Sequence, residues 1–312
     1  MTKPCLPTYM LYYNITKDRT MRRRLLLAAT GLASFSAKAE SRPLHAVASF
    51  SILADIVRQV GGARVAVSSI VPPEGDAHGY QIRPADARAV KDAGLAVVNG
   101  LGLDNWMQRL VRSAEFKGVL TVATAGLTPH KLPGSAAIDP HAWQDPRNGA
   151  FYARAIGEGL ATADPAGAEA YRTAASRFAV EILGMDTWIA EQMAAIPARA
   201  RRIITTHDAF GYFGSRFGIE FLAAQGISTE SEPSAKAIAG LVAQIKRENI
   251  RAVFVENMTD PRLAQMLARE TGAALGGTVY SDALSKAEGP ASTYLDMLRH
   301  NTGLFVAAMR GG

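Results

Sequence analysis

The segment from residue 164 to residue 197 reads DPAGAEAYRTAASRFAVEILGMDTWIAEQMAAIP. Asp164 can cap a helix that begins at Pro165, and Pro197 can end it. Apolar side chains recur every three or four positions and form one continuous face: Tyr171, Ala175, Phe178, Ile182, Met185, Ile189, Met193 and Ile196. A helix over residues 165–196 would measure about 48 Å. We therefore predict a rigid connection between two domains.

On both sides of this segment, short β-rich runs alternate with helical patterns. Strands are predicted near residues 45–50, 65–71, 95–99, 119–123, 202–206, 219–223, 252–256 and 277–280. Alternation at this spacing predicts βαβ units and mostly parallel sheets. We expect an α/β protein with two similar lobes, each a mostly parallel sheet flanked by helices, joined by one long rigid helix. The predicted divisions are an N-terminal lobe (40–146), a helical segment (147–197) and a C-terminal lobe (198–312).

The first 39 residues differ from the rest of the chain. Seven basic and one acidic side chain in this stretch account for the net charge of +6, so the remainder is neutral and no nucleic-acid partner is expected. Arg22-Arg23-Arg24, the apolar run 25–35 and the small residues Ala37 and Ala39 have the form of a signal peptide, cleaved near Ala39 and Glu40. Residues 1–20 read as an upstream extension of that signal.

The cysteine content limits where the protein is expected to reside and which ligand atoms a metal site can use. Cys5 is the single cysteine and precedes the apolar run, so it is not placed to carry the lipid of a lipoprotein. We expect an exported protein of the periplasm. Without a cysteine after cleavage, a metal site must be built from nitrogen and oxygen ligands.

Three of the six histidines lie in predicted loops at the carboxyl ends of strands, namely His78, His141 and His207, and Asp282 has the same placement. Ligands of open α/β sheets bind beyond these strand ends, and each lobe contributes two of the four residues. Three imidazoles and one carboxylate suit Zn²⁺ and also accept Mn²⁺. Because four protein ligands leave no open position, the set favours binding over catalysis, and we expect no enzyme.

Several longer motifs occur in a fixed order along the chain: 71–78 (VPPEGDAH), 99–104 (NGLGLD), 139–143 (DPHAW), 207–213 (HDAFGYF), 226–234 (GISTESEPS) and 254–257 (FVEN). In these motifs the chain resembles the zinc- and manganese-binding solute-binding proteins of ABC metal importers, known as cluster A-I, from about residue 44 to its end. The resemblance implies that His78, His141, His207 and Asp282 are the metal ligands and that a long helix joins two α/β lobes. A histidine at the third ligand position is similar to the zinc-binding members, whereas manganese-binding members tend to have a glutamate there.

The resemblance also implies a function in transport. It implies capture of zinc in the cleft between the lobes and delivery to an ABC permease with its ATPase. We expect a monomer, and the sequence leaves open whether a metallochaperone loads it. The alternatives that stay open are a manganese-specific binding protein of the same type, a metal-dependent hydrolase and a binding protein for a metal chelate.

Four further side chains near the predicted ligands have weaker interpretations. Glu256 is predicted to hydrogen-bond a ligand rather than to bind metal, and Trp143 to shield His141 from water. His130 is either an auxiliary ligand or a bystander. Asp208 is expected to cap the helix that follows it.

Overall fold

The computed structural model describes residues 42–132 and 136–311. The predicted signal peptide and its cleavage site lie outside these residues. Residues Arg42–Gly312 form one compact unit. In its described part, no helix is both long enough and apolar enough to cross a lipid bilayer.

The first half of this unit alternates strands with helices. In chain order its elements are β1 (Leu44–Phe50), α1 (Ser51–Gly61), β2 (Val65–Val71), α2 (Pro84–Lys91), β3 (Leu95–Val98), α3 (Asn105–Ser113) and β4 (Val119–Val122). The strands are parallel and lie in the order β2-β1-β3-β4. All residues of the central strand β3 are buried, as expected for a parallel sheet with helices on both faces.

The second half repeats this arrangement after two consecutive helices. Its elements are α4 (Pro146–Ala163), α5 (Ala168–Ala194), β5 (Arg202–His207), α6 (Gly211–Phe217), β6 (Glu220–Gln225), α7 (Ala235–Glu248), β7 (Ala252–Glu256), α8 (Pro261–Thr271), β8 (Ala274–Val279) and α9 (Tyr294–Arg310). The strands are again parallel, in the order β6-β5-β7-β8. Both sheets therefore have the same topology, which confirms the predicted fold class.

The long helix is present as α5, with 27 residues and a length of about 40 Å. The helix begins at Pro165 as predicted, but its first turn, Pro165–Gly167, is a 3-10 turn that continues directly into α5. The Asp164 carboxylate accepts a hydrogen bond from the Tyr171 hydroxyl at 2.8 Å instead of capping a helix. Regular α-helical geometry consequently begins one turn after Pro165, at Ala168.

The apolar face predicted for this helix is buried along its whole length. Through it, α5 packs against α1 of the first lobe, α4, and both α6 and α9 of the second lobe. One hydrophobic core extends from Ala46 in β1 to Met309 in α9. The two sheets thus share a continuous core through α5. The lobe boundaries at 146/147 and 197/198 stay a prediction.

The close packing of α4 on α5 can be tested with a pair of glycines. A Cβ atom at Gly157 would lie 2.6 Å from the Cβ atom of Ala175 on α5. We expect Gly157→Ala to force the helices apart and to lower the free energy of unfolding, measured by urea denaturation of metal-free protein, by about 1–3 kcal/mol.

Gly184 on α5 is the matched control, because a Cβ atom there meets no atom within 4 Å. Gly184→Ala should raise the same free energy by up to about 1 kcal/mol, since alanine has the higher helix propensity. Equal stabilities of the two variants would contradict the close packing of the two helices.

Candidate metal centre

The four predicted ligand residues lie together at the carboxyl ends of strands from both sheets. His78 follows β2 and His141 lies between β4 and α4, whereas His207 is the last residue of β5 and Asp282 follows β8. Each residue offers one ligand atom, and the four atoms lie within 4.8 Å of one another. The structure therefore brings together all four residues of the predicted set, two from each half of the chain.

The distances between these atoms are those of a compact coordination sphere. The Nε2 atoms of His78 and His141 are 3.3 Å apart. Oδ2 of Asp282 lies 3.0 Å from Nε2 of His78 and 3.2 Å from Nε2 of His207, and Oδ1 lies 3.6 Å from Nε2 of His141. Around a tetrahedral Zn²⁺ with bonds of about 2.0–2.1 Å, neighbouring ligand atoms are roughly 3.3 Å apart. The spacing fits such an ion.

The site is deeply buried, and one of its charges lacks a hydrogen bond. The side chains of His141, His207 and Asp282 are fully buried, and that of His78 is 6% exposed. Neither carboxylate oxygen of Asp282 has a hydrogen-bond partner of good geometry among the described residues. Because an uncompensated buried carboxylate is strongly destabilising, this arrangement favours a cation between the four side chains.

Two further carboxylates orient the imidazoles. Oδ1 of Asp139 lies 2.8 Å from Nδ1 of His141, and Glu256 contacts Nδ1 of His207. Glu256 is itself fixed, because its Oε1 accepts hydrogen bonds from the Thr206 hydroxyl and the His207 amide, each at 2.8 Å. A carboxylate on Nδ1 holds the proton there and leaves Nε2 as the metal-facing lone pair.

The role of Glu256 in contacting a predicted ligand is confirmed, whereas sequence reasoning missed Asp139. The signal for Asp139 was present in the sequence. It lies two residues before His141, and its Oδ1 also accepts the His141 amide hydrogen bond at 2.9 Å.

The carboxylates also change the acid–base chemistry of the site. Burial lowers the pKa of the His141 imidazole, but Asp282 and Asp139 outweigh burial and raise the pKa to about 9. For His207, burial again opposes the charge, yet Glu256 and Asp282 raise the pKa well above its usual value. Burial raises the pKa of Asp282, but His207 and His141 hold it well below the ordinary range. In metal-free protein a metal ion must therefore displace protons from the imidazoles.

A second group of contacts holds Asp282 in place from the first lobe. The indole Nε1 of Trp143 and the amide Nε2 of Gln144 donate to the carbonyl of Ser281, at 2.9 and 2.8 Å. The Trp143 ring also packs edge-on against His141, with centroids 5.3 Å apart, so its predicted shielding role agrees with the contact. Gln144 carried no recognisable signal in the sequence.

The remaining polar residues near the site lie outside the cluster. His130 stacks on the ring of Tyr212 at 3.9 Å and is not among the four converging residues. The predicted capping role of Asp208 is wrong, because α6 begins at Gly211 and Phe210 occupies its cap position without a side-chain bond. Residues 208–210 form the connection between β5 and α6.

Comparison with known families gives a match over most of the chain. The family model described as "Zinc-uptake complex component A periplasmic" matches residues 46–308. This range contains all four converging side chains, α5 and every strand of both sheets except the first two residues of β1.

Individual relatives match over similar lengths. The "Manganese-binding lipoprotein MntA" of Halalkalibacterium halodurans is 33% identical over 286 residues, which cover 91% of this chain and 95% of the relative. The "Iron-binding protein YfeA" of Yersinia pestis is 32% identical over 283 residues, covering 88% and 90%. Among solved structures, the periplasmic zinc binding protein TroA from Treponema pallidum superposes with a TM-score of 0.82 at 26% identity, covering 86% of this chain and 99% of that one.

The raised pKa of His141 provides a direct test of the site's electrostatics. In metal-free protein, the imidazole proton resonances followed by NMR should show His141 losing its proton at about pH 9. Asp282→Asn removes the main charge that stabilises the protonated His141 imidazole, so the pKa of His141 should fall below that in the wild type. Asp92→Asn, at an exposed position, is the control and should leave that titration unchanged. A His141 pKa that is the same in all three proteins would contradict the described electrostatics.

Proposed function

The chain belongs to the family of zinc-uptake complex component A periplasmic proteins, and on this premise we propose that it captures one Zn²⁺ ion between its lobes for an ABC importer. The proposed ligands are Nε2 of His78, His141 and His207 together with the carboxylate of Asp282. The observation that carries the proposal is the fully buried Asp282 carboxylate, which faces three imidazole nitrogens and has no hydrogen-bond partner within residues 42–132 and 136–311.

Zinc is favoured by the chemistry of the donors. Imidazole nitrogen is a borderline ligand that suits Zn²⁺, whereas Mn²⁺ and Mg²⁺ are typically bound by oxygen-rich sets. The separations between the ligand atoms also fit a tetrahedral Zn²⁺ ion.

Manganese is the second candidate, and one geometric feature favours it. Both oxygens of Asp282 face the imidazoles, with Oδ2 near His78 and His207 and Oδ1 near His141. A carboxylate that binds through both oxygens would give five ligand atoms, a number that suits Mn²⁺ better than a structural zinc site. The relatives named above as manganese-binding and iron-binding also make a metal other than zinc a real alternative.

We further propose that the protein binds its metal without transforming it. A catalytic zinc keeps one position for water or substrate, whereas four protein ligands occupy a tetrahedral ion completely. A hydrolase would need an open coordination position, and a chelate-binding protein would need a larger cavity than these converging side chains leave. The ion is thus the cargo of the protein, bound and later released unchanged.

The proposed setting is outside the cytoplasm, beside an ABC permease and its ATPase. We propose a periplasmic monomer made of the lobes 40–146 and 198–312, joined by the helical segment 147–197. The name of the MntA relative describes that protein as a lipoprotein, so mass spectrometry of the exported protein should identify its mature N-terminus and any attached lipid.

Metal content of tag-free protein purified from the periplasm tests the proposal. We expect one zinc per chain by elemental analysis in the wild type, and in His45→Ala, because His45 is an exposed residue of β1. His207→Ala should lose most of the bound metal, since it removes one of the four proposed ligands and leaves Glu256 without its imidazole partner. Stoichiometric zinc in His207→Ala would contradict the ligand set, and preferential retention of manganese by the wild type would favour the second candidate.

A further inference from the structure

The four converging side chains do not have equal access to solvent. His141, His207 and Asp282 are fully buried, and His78 alone among them has an exposed fraction, of 6%. His78 belongs to the loop between β2 and α2, which we call the His78 loop (residues 72–80). Among the four side chains, the one carried by this loop therefore lies nearest to solvent.

On the Asp282 side, buried hydrogen bonds fix the lobes to each other. The amide of Leu284 donates to the Ser51 hydroxyl at 2.9 Å, and the amide of Tyr294 donates to the Asp55 carboxylate at 2.8 Å. The Tyr294 hydroxyl donates to the carbonyl of Trp143 at 2.5 Å. Together with the bonds to the Ser281 carbonyl, these contacts make this side of the cleft the one that is hardest to open.

Two sets of contacts join the His78 loop to the second lobe. At the start of the loop, the Glu74 amide donates to the Leu284 carbonyl at 2.9 Å and the Glu74 carboxylate lies 3.0 Å from Nζ of Lys286.

Next to His78 itself, the Asp76 carboxylate makes the connection. Oδ1 of Asp76 accepts the amide hydrogen of His78 at 2.8 Å, and its Oδ2 accepts the hydroxyl hydrogen of Thr229 at 2.7 Å. Asp76 and Thr229 are both half-buried. Asp76 therefore bonds simultaneously to the backbone of a metal-facing residue and to the opposite lobe.

The partner loop is itself ordered. Thr229 lies in the segment between β6 and α7, which we call the Thr229 loop (residues 226–234). The side chain of Gln225 at the end of β6 donates to the carbonyls of Thr229 and Ser231, at 3.0 and 2.9 Å. The two loops are also in close contact at Gly79, where a Cβ atom would lie 3.8 Å from Cγ of Glu230. The Thr229 hydroxyl is consequently presented to Asp76 from a fixed support.

Within its own lobe the His78 loop has a separate attachment. The indole of Trp106 donates to the carbonyl of Ala77 at 2.9 Å. This bond holds the loop to its lobe whether or not the cleft is closed. The bond from Asp76 to Thr229, by contrast, exists only when the two lobes are together.

We propose that Asp76 is a positioning residue that, through Thr229, fastens His78 over the ion and sets the rate at which the metal leaves. The inference rests on the proposed function, because it assigns the exit path of the same ion. Breaking the bond frees the part of the His78 loop that carries His78 to move with its own lobe, while Glu74 stays bonded to Leu284. His141, His207 and Asp282 keep their supports. Release would thus begin with the loss of His78 as a ligand.

The test measures zinc dissociation from the full mature protein into an excess of a chromophoric chelator. In Thr229→Val, which keeps the shape but removes the hydroxyl, we expect about tenfold faster dissociation, since a hydrogen bond to a charged group is lost. Asp76→Ala should be at least as fast, and the double variant should be no faster than Asp76→Ala because both changes remove one interaction. Thr229→Ser restores the hydroxyl and should dissociate at close to the wild-type rate.

Two readouts distinguish this role from a merely structural one. The melting temperature of the metal-free Thr229→Val protein and its zinc stoichiometry should equal those of the wild type. If the wild type binds one zinc but Thr229→Val releases zinc at the wild-type rate, the role of Asp76 is overturned and the proposed function stays intact. Failure of the wild type to retain zinc or manganese would overturn the proposed function, and the inference with it.

Discussion

A carboxylate removed from water and surrounded by imidazoles is the constraint on which the architecture depends. Asp282 is fully buried and has no hydrogen-bond donor in the part of the chain that the structure describes, so its charge is balanced by the three imidazoles that face it. Protons on the imidazoles can supply that balance, as the raised pKa values of His141 and His207 indicate. A divalent cation supplies it better, because it satisfies the carboxylate and the nitrogen lone pairs together. Under the proposed ligand set, metal binding is therefore coupled to the release of protons from these imidazoles.

The fold explains how four distant residues reach one point. Because the strands within each sheet are parallel, their carboxyl ends lie at the same end of the sheet. The ends of β2, β5 and β8 and the segment after β4 carry the four residues there. Helix α5 packs on helices of both lobes and shares their core, so large rotations of one lobe against the other would expose apolar surface. Small movements remain possible where polar contacts alone close the cleft, as at Asp76 and Thr229. A rigid connection through α5, combined with a polar contact across the cleft at Asp76 and Thr229, is suited to a protein that must hold an ion and still release it.

Much of this organisation could be read from the sequence, because it depends on local patterns. The apolar spacing in α5 predicted its buried face correctly, and the order of strands placed the four ligand candidates at strand ends. The predicted start of β8 was late, because Gly276 and Gly277 interrupt the apolar pattern. A Cβ atom at Gly276 would lie 2.9 Å from Cδ1 of Phe254, so a glycine there reflects close packing rather than a loop.

What the sequence did not reveal depends on contacts between distant segments. Trp143 and Gln144 bond to the carbonyl of Ser281 across 138 and 137 positions, and no periodicity encodes such a pair. Asp164 was expected to cap a helix and instead binds the hydroxyl of Tyr171. In both cases a polar group had several possible partners, and tertiary packing decided among them.

X-ray absorption spectroscopy at the zinc edge, on mature protein loaded with one equivalent of zinc, tests the central claim most directly. The account predicts a first shell of four nitrogen and oxygen atoms at about 2.0–2.1 Å, with the outer-shell scattering of three imidazole rings. A shell of oxygen atoms with one imidazole or none would contradict it, because the ion would then lie outside the cluster of His78, His141, His207 and Asp282.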